Sequence, residues 1–178
     1  MTLKKLLLMG CLGGALAFTA CDKDDDDPIV KEELNQTDRT FLQNAAQGNL
    51  AEIKTGQLAS TQGSSDSVKM FGQMLVTNHQ SAQNSLDSIA TAQNVDLPDS
   101  ADANGMAMYN ALQGLSGASF DSAFIRMQMV AHDSAISMYQ TYASAGSFSS
   151  LKSYANRILP TLQQQAAYVD SLAARMPQ

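Results

Sequence analysis

Between residues 38 and 175 the apolar side chains return at intervals of three and four. Only three short stretches interrupt them: Gln62-Gly63-Ser64, residues 94–119, and Ala145-Gly146-Ser147. That interval marks amphipathic helices, each turning one face to a core. Glycine and proline are sparse outside the interruptions, and the polar positions are filled mostly by Gln, Asn, Ser and Thr. A chain so patterned folds as a bundle of long helices.

The phase predicts four of them. The first begins near Asp38, a good N-cap, runs to Ser60 and buries Phe41, Leu42, Ala45, Ala46, Leu50 and Ile53. The second spans residues 65–93 on a nearly heptad seam of Val68, Phe71, Leu75, Ala82, Leu86 and Ile89. The third, residues 119–144, carries two adjacent stripes, one through Phe120, Phe124, Met127, Ala131, Met138 and Tyr142, the other through Ile125, Met129, Ile136 and Tyr139. The fourth, residues 147–175, keeps Leu151, Ala155, Ile158, Leu162, Val169 and Leu172 in phase across Pro160. An internal proline costs about 3 kcal/mol, yet the unbroken phase predicts a kink rather than two helices. Residues 106–115 form a short extra helix in the long connection. The predicted fold class is all-α, and two hairpins joined by a crossover resemble a ferritin-like four-helix bundle.

Polar residues that fall where the phase demands an apolar one are the candidates for function. Glu52 lies seven residues from both Ala45 and Ala59 and is the only glutamate after residue 33. His79 sits four after Leu75 and three before Ala82, and His132 three after Met129 and four before Ile136; these are the only histidines. Gln165 is three after Leu162 and four before Val169. Each helix thus contributes one inward polar group, and burying a neutral one unpartnered costs roughly 2–7 kcal/mol. The preferred reading is a structural polar layer that fixes helix register. The alternative is a metal site, since neutral imidazoles suit zinc, copper, iron or nickel and Glu52 offers a carboxylate. Asp121, eleven residues before His132, shares its face but lies about three turns away, and reads more simply as a first-turn acid complementing the helix dipole.

Two features weigh against metal. The Glu-x-x-His pattern of di-iron bundles is missing, because Val76 and Met129 stand three before the histidines. Counting 1.5 Å per residue from the turns also separates Glu52 from His79 by about 10 Å and His132 from Gln165 by about 6 Å along the axis, so the hairpins are not expected to share one clean layer. The adjacent His132 and Asp133 point in different directions and make no hydrolytic pair. The ten methionines read as gap-filling core.

The N-terminus supplies an address. Lys4 and Lys5 precede an apolar run at residues 6–18, too short to span a bilayer and broken by Gly10, Gly13 and Gly14; this reads as a secretory signal peptide over residues 1–20. Phe18-Thr19-Ala20-Cys21 resembles the lipobox of bacterial lipoproteins, which implies that Cys21 is lipidated and anchors the chain to a lipid membrane. With Cys11 removed, Cys21 is the one cysteine left, so no disulfide is expected. Residues 22–33 hold seven acids and two lysines, and residues 21–37 read as a disordered acidic tether. The run also resembles the acidic export signal of surface lipoproteins of Bacteroidota, which implies the cell envelope, and the outer membrane before the inner.

Beyond residue 33 ten acids face seven bases. That balance, with no basic stripe and no tryptophan, excludes nucleic acid as a partner. Phosphate loops, His-Glu-x-x-His, paired cysteines and dinucleotide fingerprints are missing too, so the expectation leans away from an enzyme. No internal repeat is evident. The order and spacing of Asp38-Arg39-Thr40-Phe41-Leu42, Gly48-Asn49-Leu50-Ala51-Glu52-Ile53, Gly56-Gln57-Leu58-Ala59, Met74 to His79, Phe120-Asp121, His132 and Leu159-Pro160-Thr161-Leu162 resemble an exported bacterial ferritin-like four-helix domain of unknown function. The resemblance implies a histidine at position 165 and an acid at 78, where this chain has Gln165 and Asn78. The function expected from the sequence is a membrane-anchored envelope lipoprotein with a non-enzymatic binding or structural bundle; a metal-binding or redox protein using Glu52, His79 and His132 is the alternative.

Overall fold

Residues 32–176 are described by the structure, a computed structural model, and their secondary structure is entirely helical. The elements are α1 (Gln36–Gln62), α2 (Asp66–Ala92), α3 (Ala103–Gln113), α4 (Gly117–Ala145) and α5 (Ser149–Ala173). The four long helices and the short one in the crossover are those the periodicity predicts, and α5 is one helix through Pro160. The α1 cap differs from expectation. Asn35, not Asp38, is the N-cap: its side chain accepts from the Asp38 amide at 2.9 Å while the Asp38 carboxylate accepts from the Asn35 amide at 3.0 Å, a reciprocal capping box.

The boundary of the acidic tether also moves. The lipidation and signal expectations at Cys21 and residues 1–20 lie outside the described residues, but Glu32 and Leu34 belong to the bundle. Glu32 accepts from the Ser149 amide at 2.8 Å and the Ser149 hydroxyl at 2.6 Å, placing a carboxylate on the otherwise uncapped N-terminus of α5. Leu34 is 8% exposed and packs with the core. Charge counting treats residues 22–37 alike, whereas a single buried leucine and a helix end within reach suffice to order the last of them. The unit Glu32–Gln178 is compact.

Two apolar clusters fill the bundle. One gathers the start of α1 and α5 with the ends of α2 and α4, around Phe41, Leu42, Leu86, Tyr139, Tyr142 and Tyr154. The other gathers the opposite ends with α3, around Phe71, Leu75, Leu112, Phe120, Phe124 and Val169. The α1–α2 hairpin closes tightly at a pair of glycines: a Cβ on Gly72 would stand 2.6 Å from the Gly56 carbonyl oxygen and 2.7 Å from the Ser60 amide. Only glycine permits that approach. The short helix α3 docks on α1, with Gly105 against Ala51 and Lys54 Nζ 5.5 Å from the centre of the Tyr109 ring.

An aspartate ties each end. Asp38, with no exposed surface, accepts from the Tyr142 hydroxyl at 2.6 Å and from the hydroxyl and amide of Ser147 at 2.8 and 3.3 Å, joining α1 to the α4–α5 turn. Burial raises its pKa, but hydrogen bonds from Tyr142, Asn35 and Ser147 outweigh that and hold the carboxyl below its ordinary value. Asp121 accepts from the amides of Ser64 and Ser65 at 2.7 and 2.8 Å, joining α4 to the α1–α2 turn. Asp121 is therefore no member of the buried layer: α4 begins at Gly117, which puts Asp121 just past the first turn rather than in it, at the end of the bundle, where its carboxylate meets the turn amides. The ties also uncover a repeat that the sequence hides. In each hairpin the tying aspartate lies three residues before a core phenylalanine (Phe41, Phe124) and eleven before an inward polar residue (Asn49, His132).

Candidate functional site

Between the two apolar clusters lies a layer of polar side chains drawn from all four long helices: Asn49, Glu52 and Thr55 on α1, His79 and Gln83 on α2, Gln128 and His132 on α4, and Gln165 on α5. His79, His132 and Gln165 are buried as predicted, at 6%, 1% and 1% exposure. The two histidine rings stand 6.4 Å apart, centre to centre. The axial count that separated the hairpins fails because each Cβ leans toward the N-terminus of its own helix. In antiparallel helices this moves Gln165 toward its turn and His132 away from it, and the long side chains close the remainder.

A chain of hydrogen bonds fixes the His79 ring. The Asp87 carboxylate can only accept, and it takes the Gln83 amide NH2 at 2.8 Å. That leaves Gln83 Oε1 to accept from Asn49 Nδ2 at 3.2 Å, and Asn49 Oδ1 to accept from His79 Nδ1–H at 3.0 Å. The lone pair of the neutral ring is therefore on Nε2, which is buried without a partner. Burial, reinforced by His132 and opposed by Gln165, lowers the His79 pKa to about 3, so the ring is neutral at physiological pH. His132 is held the same way: its Nδ1–H donates to the Gln128 carbonyl at 2.9 Å. In the neutral ring Nε2 is again the acceptor.

Gln165 reaches between the rings but cannot serve both. Its Oε1 stands 3.2 Å from His132 Nε2, two acceptors face to face when that ring is neutral, while its Nε2 finds no partner. It also influences His79, although no group bonds His79 Nε2. One amide has one donor end, so turning it over satisfies one imidazole at most. Glu52 is half-buried as a residue because its stem borders a cleft, but its Oε2 is shielded and unpartnered. Burial raises its carboxyl above the ordinary value, against His132 and hydrogen bonding from Gln128. With Gln128 Oε1 also unpartnered, the layer holds more acceptors than donors. Each unmet buried group costs about 1–3 kcal/mol, and such a concentration calls for a proton, a cation or a donor from outside.

The layer is reached from one side. A cleft of about 450 Å³ opens between α1 and α4, rimmed by the start of α3 and floored by Asn49, Glu52, His79 and His132. Volume and lining, mostly apolar with a few convergent polar groups, are those of small-molecule sites. As a metal centre the layer is incomplete: among the described residues no group of three or more His, Cys, Asp or Glu side chains stands close enough to hold an ion. Metal bonds to nitrogen of about 2.0–2.1 Å would also require the rings to close up for any bent geometry.

The phase reading missed Asn49, Thr55, Gln83, Gln128 and Tyr154. Gln128 stands four residues after Phe124 and four before His132, on the line between the two predicted α4 stripes, which is where the helix is most buried. Asn49 takes the inward place assigned to its neighbour Leu50, which is only half-buried. Gln83 follows His79 by four and precedes Leu86 by three, so the rule that found the histidines also finds it.

The profile of a domain of unknown function, DUF4142, matches residues 27–172. Among solved structures the fold is similar to that of a DUF305 fragment from Deinococcus radiodurans, with a TM-score of 0.72 and 10% identity over 82% of this chain and 100% of that one. At that identity the likeness speaks for the helical fold alone. No curated protein matches the chain.

Proposed function

The chain belongs to the DUF4142 family, and from that premise we propose that it is a membrane-anchored, non-enzymatic binding protein of the bacterial envelope that receives a ligand through the α1–α4 cleft. One observation carries the binding half of this reading: His79 Nε2 and Glu52 Oε2 are shielded and unpartnered on the floor of an open cleft. Structural layers satisfy their polar groups; this one leaves them unmet in residues that line a cavity. The anchoring half rests on the sequence, on the signal-like residues 1–20 and the lipobox-like residues 18–21. No helix among the described residues is long and apolar enough to cross a membrane, so attachment by the bundle itself has no support there.

A second reading, a transition-metal site on His79 and His132, draws on the way both Nδ1–H groups are anchored to carbonyl oxygens, the arrangement that orients metal-ligating histidines. The test is a melting series of the purified protein with zinc, copper, iron and nickel, read beside metal content. A ligand at 100 times its Kd stabilises by about 2.7 kcal/mol. A shift abolished in His79→Ala and His132→Ala supports metal; no shift and no bound metal removes that reading and leaves the organic ligand. Anchoring is tested by palmitate incorporation and membrane fractionation, both expected to be lost in Cys21→Ala; a Cys21→Ala protein that stays with the membrane overturns it.

A further inference from the structure

The charge around the cleft is one-sided. Its lining includes two charged side chains, Glu52 and Asp102, both acids, and no lysine or arginine. On the floor, His79 is 6% exposed with Nε2 unpartnered, and Glu52 Oε2 is shielded and unpartnered. A carboxylate placed there brings only further acceptors and a hydroxyl a single donor, whereas an ammonium group brings three donors and no acceptor to the unpartnered acceptors of Glu52 and His79. Much of the remaining lining is small and apolar, among it Ala45, Ala51, Ala131 and Ala135. The cleft volume of about 450 Å³ also far exceeds what an ion and its waters need, at roughly 30 Å³ of liquid per water.

Resting on the binding reading above, we propose that the cleft takes a primary organic ammonium ion with an apolar body, the head donating to Glu52 and His79 Nε2 and the body lying between α1 and α4. Specificity follows from the geometry. The head group is selected by the acceptor floor and the two acids, and the body by the width that alanines leave between the helices.

The test is isothermal titration of the chain from residue 22 onward, which includes the whole compact unit from Glu32, with n-hexylammonium, 1-hexanol and hexanoate. Saturable binding of hexylammonium at least about tenfold tighter than either of the others is expected, that factor corresponding to about 1.4 kcal/mol. Glu52→Gln should remove the preference for ammonium and leave 1-hexanol binding unchanged. Gly48→Leu should weaken all three probes without unfolding the chain, because an added Cβ at this cleft-lining glycine meets nothing within 4 Å and leucine favours the helix. Hexanoate or 1-hexanol binding as tightly as hexylammonium overturns the ammonium assignment but leaves a ligand-binding cleft standing. Zinc or copper binding with no response to the organic probes overturns it in favour of metal. If no probe and no metal binds, the binding reading falls with it.

Discussion

The ends of this bundle and its middle are built on opposite principles. At each end, apolar side chains interlock and an aspartate meets every donor around it; Asp38 alone accepts from Tyr142, Ser147 and the Asn35 amide. In the middle, eight polar side chains come together and four of their buried atoms find no partner. The ends are arranged for stability. The middle gives stability up, which is what functional sites do when binding needs groups left open.

Substitutions at the ends should cost most. Phe71→Ala, at a residue with no exposed surface, is expected to destabilise by about 3–5 kcal/mol, read from urea unfolding. Asp38→Ala leaves the Tyr142 hydroxyl and turn amides without their acceptor and should cost about 2–3 kcal/mol. The half-exposed tie at Asp121 is expected to cost less than about 1 kcal/mol in Asp121→Ala, so equal losses at the two aspartates would break the account of them.

The middle should announce itself through pH. His79 has a pKa of about 3 in the folded chain against 6.5 for the ordinary ring. Between those values the unfolded chain binds the extra proton, so stability falls as pH drops through that window, by about 1.4 kcal/mol per pH unit from this group. Glu52 works the other way, since its raised carboxyl loses stabilising protonation as pH rises above the ordinary carboxylate range. Asp38, held low, adds a loss only on further acidification. Unfolding curves at pH 6 and pH 4 should therefore converge in His79→Gln, and an unchanged slope would show that the ring is not buried in neutral form.

The smallest effect is the most telling. Gln165→Leu removes an amide that cannot satisfy both rings, and it is expected to change stability by less than about 1 kcal/mol in either direction. A loss above about 2 kcal/mol would make the layer structural and erase the contrast between middle and ends.

Much of this is legible in the amino-acid sequence. The four helix phases, the short crossover helix and the inward placement of His79, His132 and Gln165 all follow from the recurrence of apolar residues, because a 3.6-residue repeat assigns each position to a face. Asn49 and Gln128 escape it for the same reason. A face is an angle around the helix, and it carries no information on depth along the axis or on which neighbour a side chain meets.

The sequence by itself determined the helices, their buried faces and an acidic N-terminal segment with a lipobox-like tetrapeptide before it, since those depend on local order and composition. Only the tertiary structure decided that Asp87, Gln83 and Asn49 pass their polarity to His79, that Gln165 stands between two acceptors, and that a cleft opens onto them. These depend on how two hairpins tilt and seat against each other. Hydrogen-bond direction is a property of the assembled network, so no single position in the chain could reveal it.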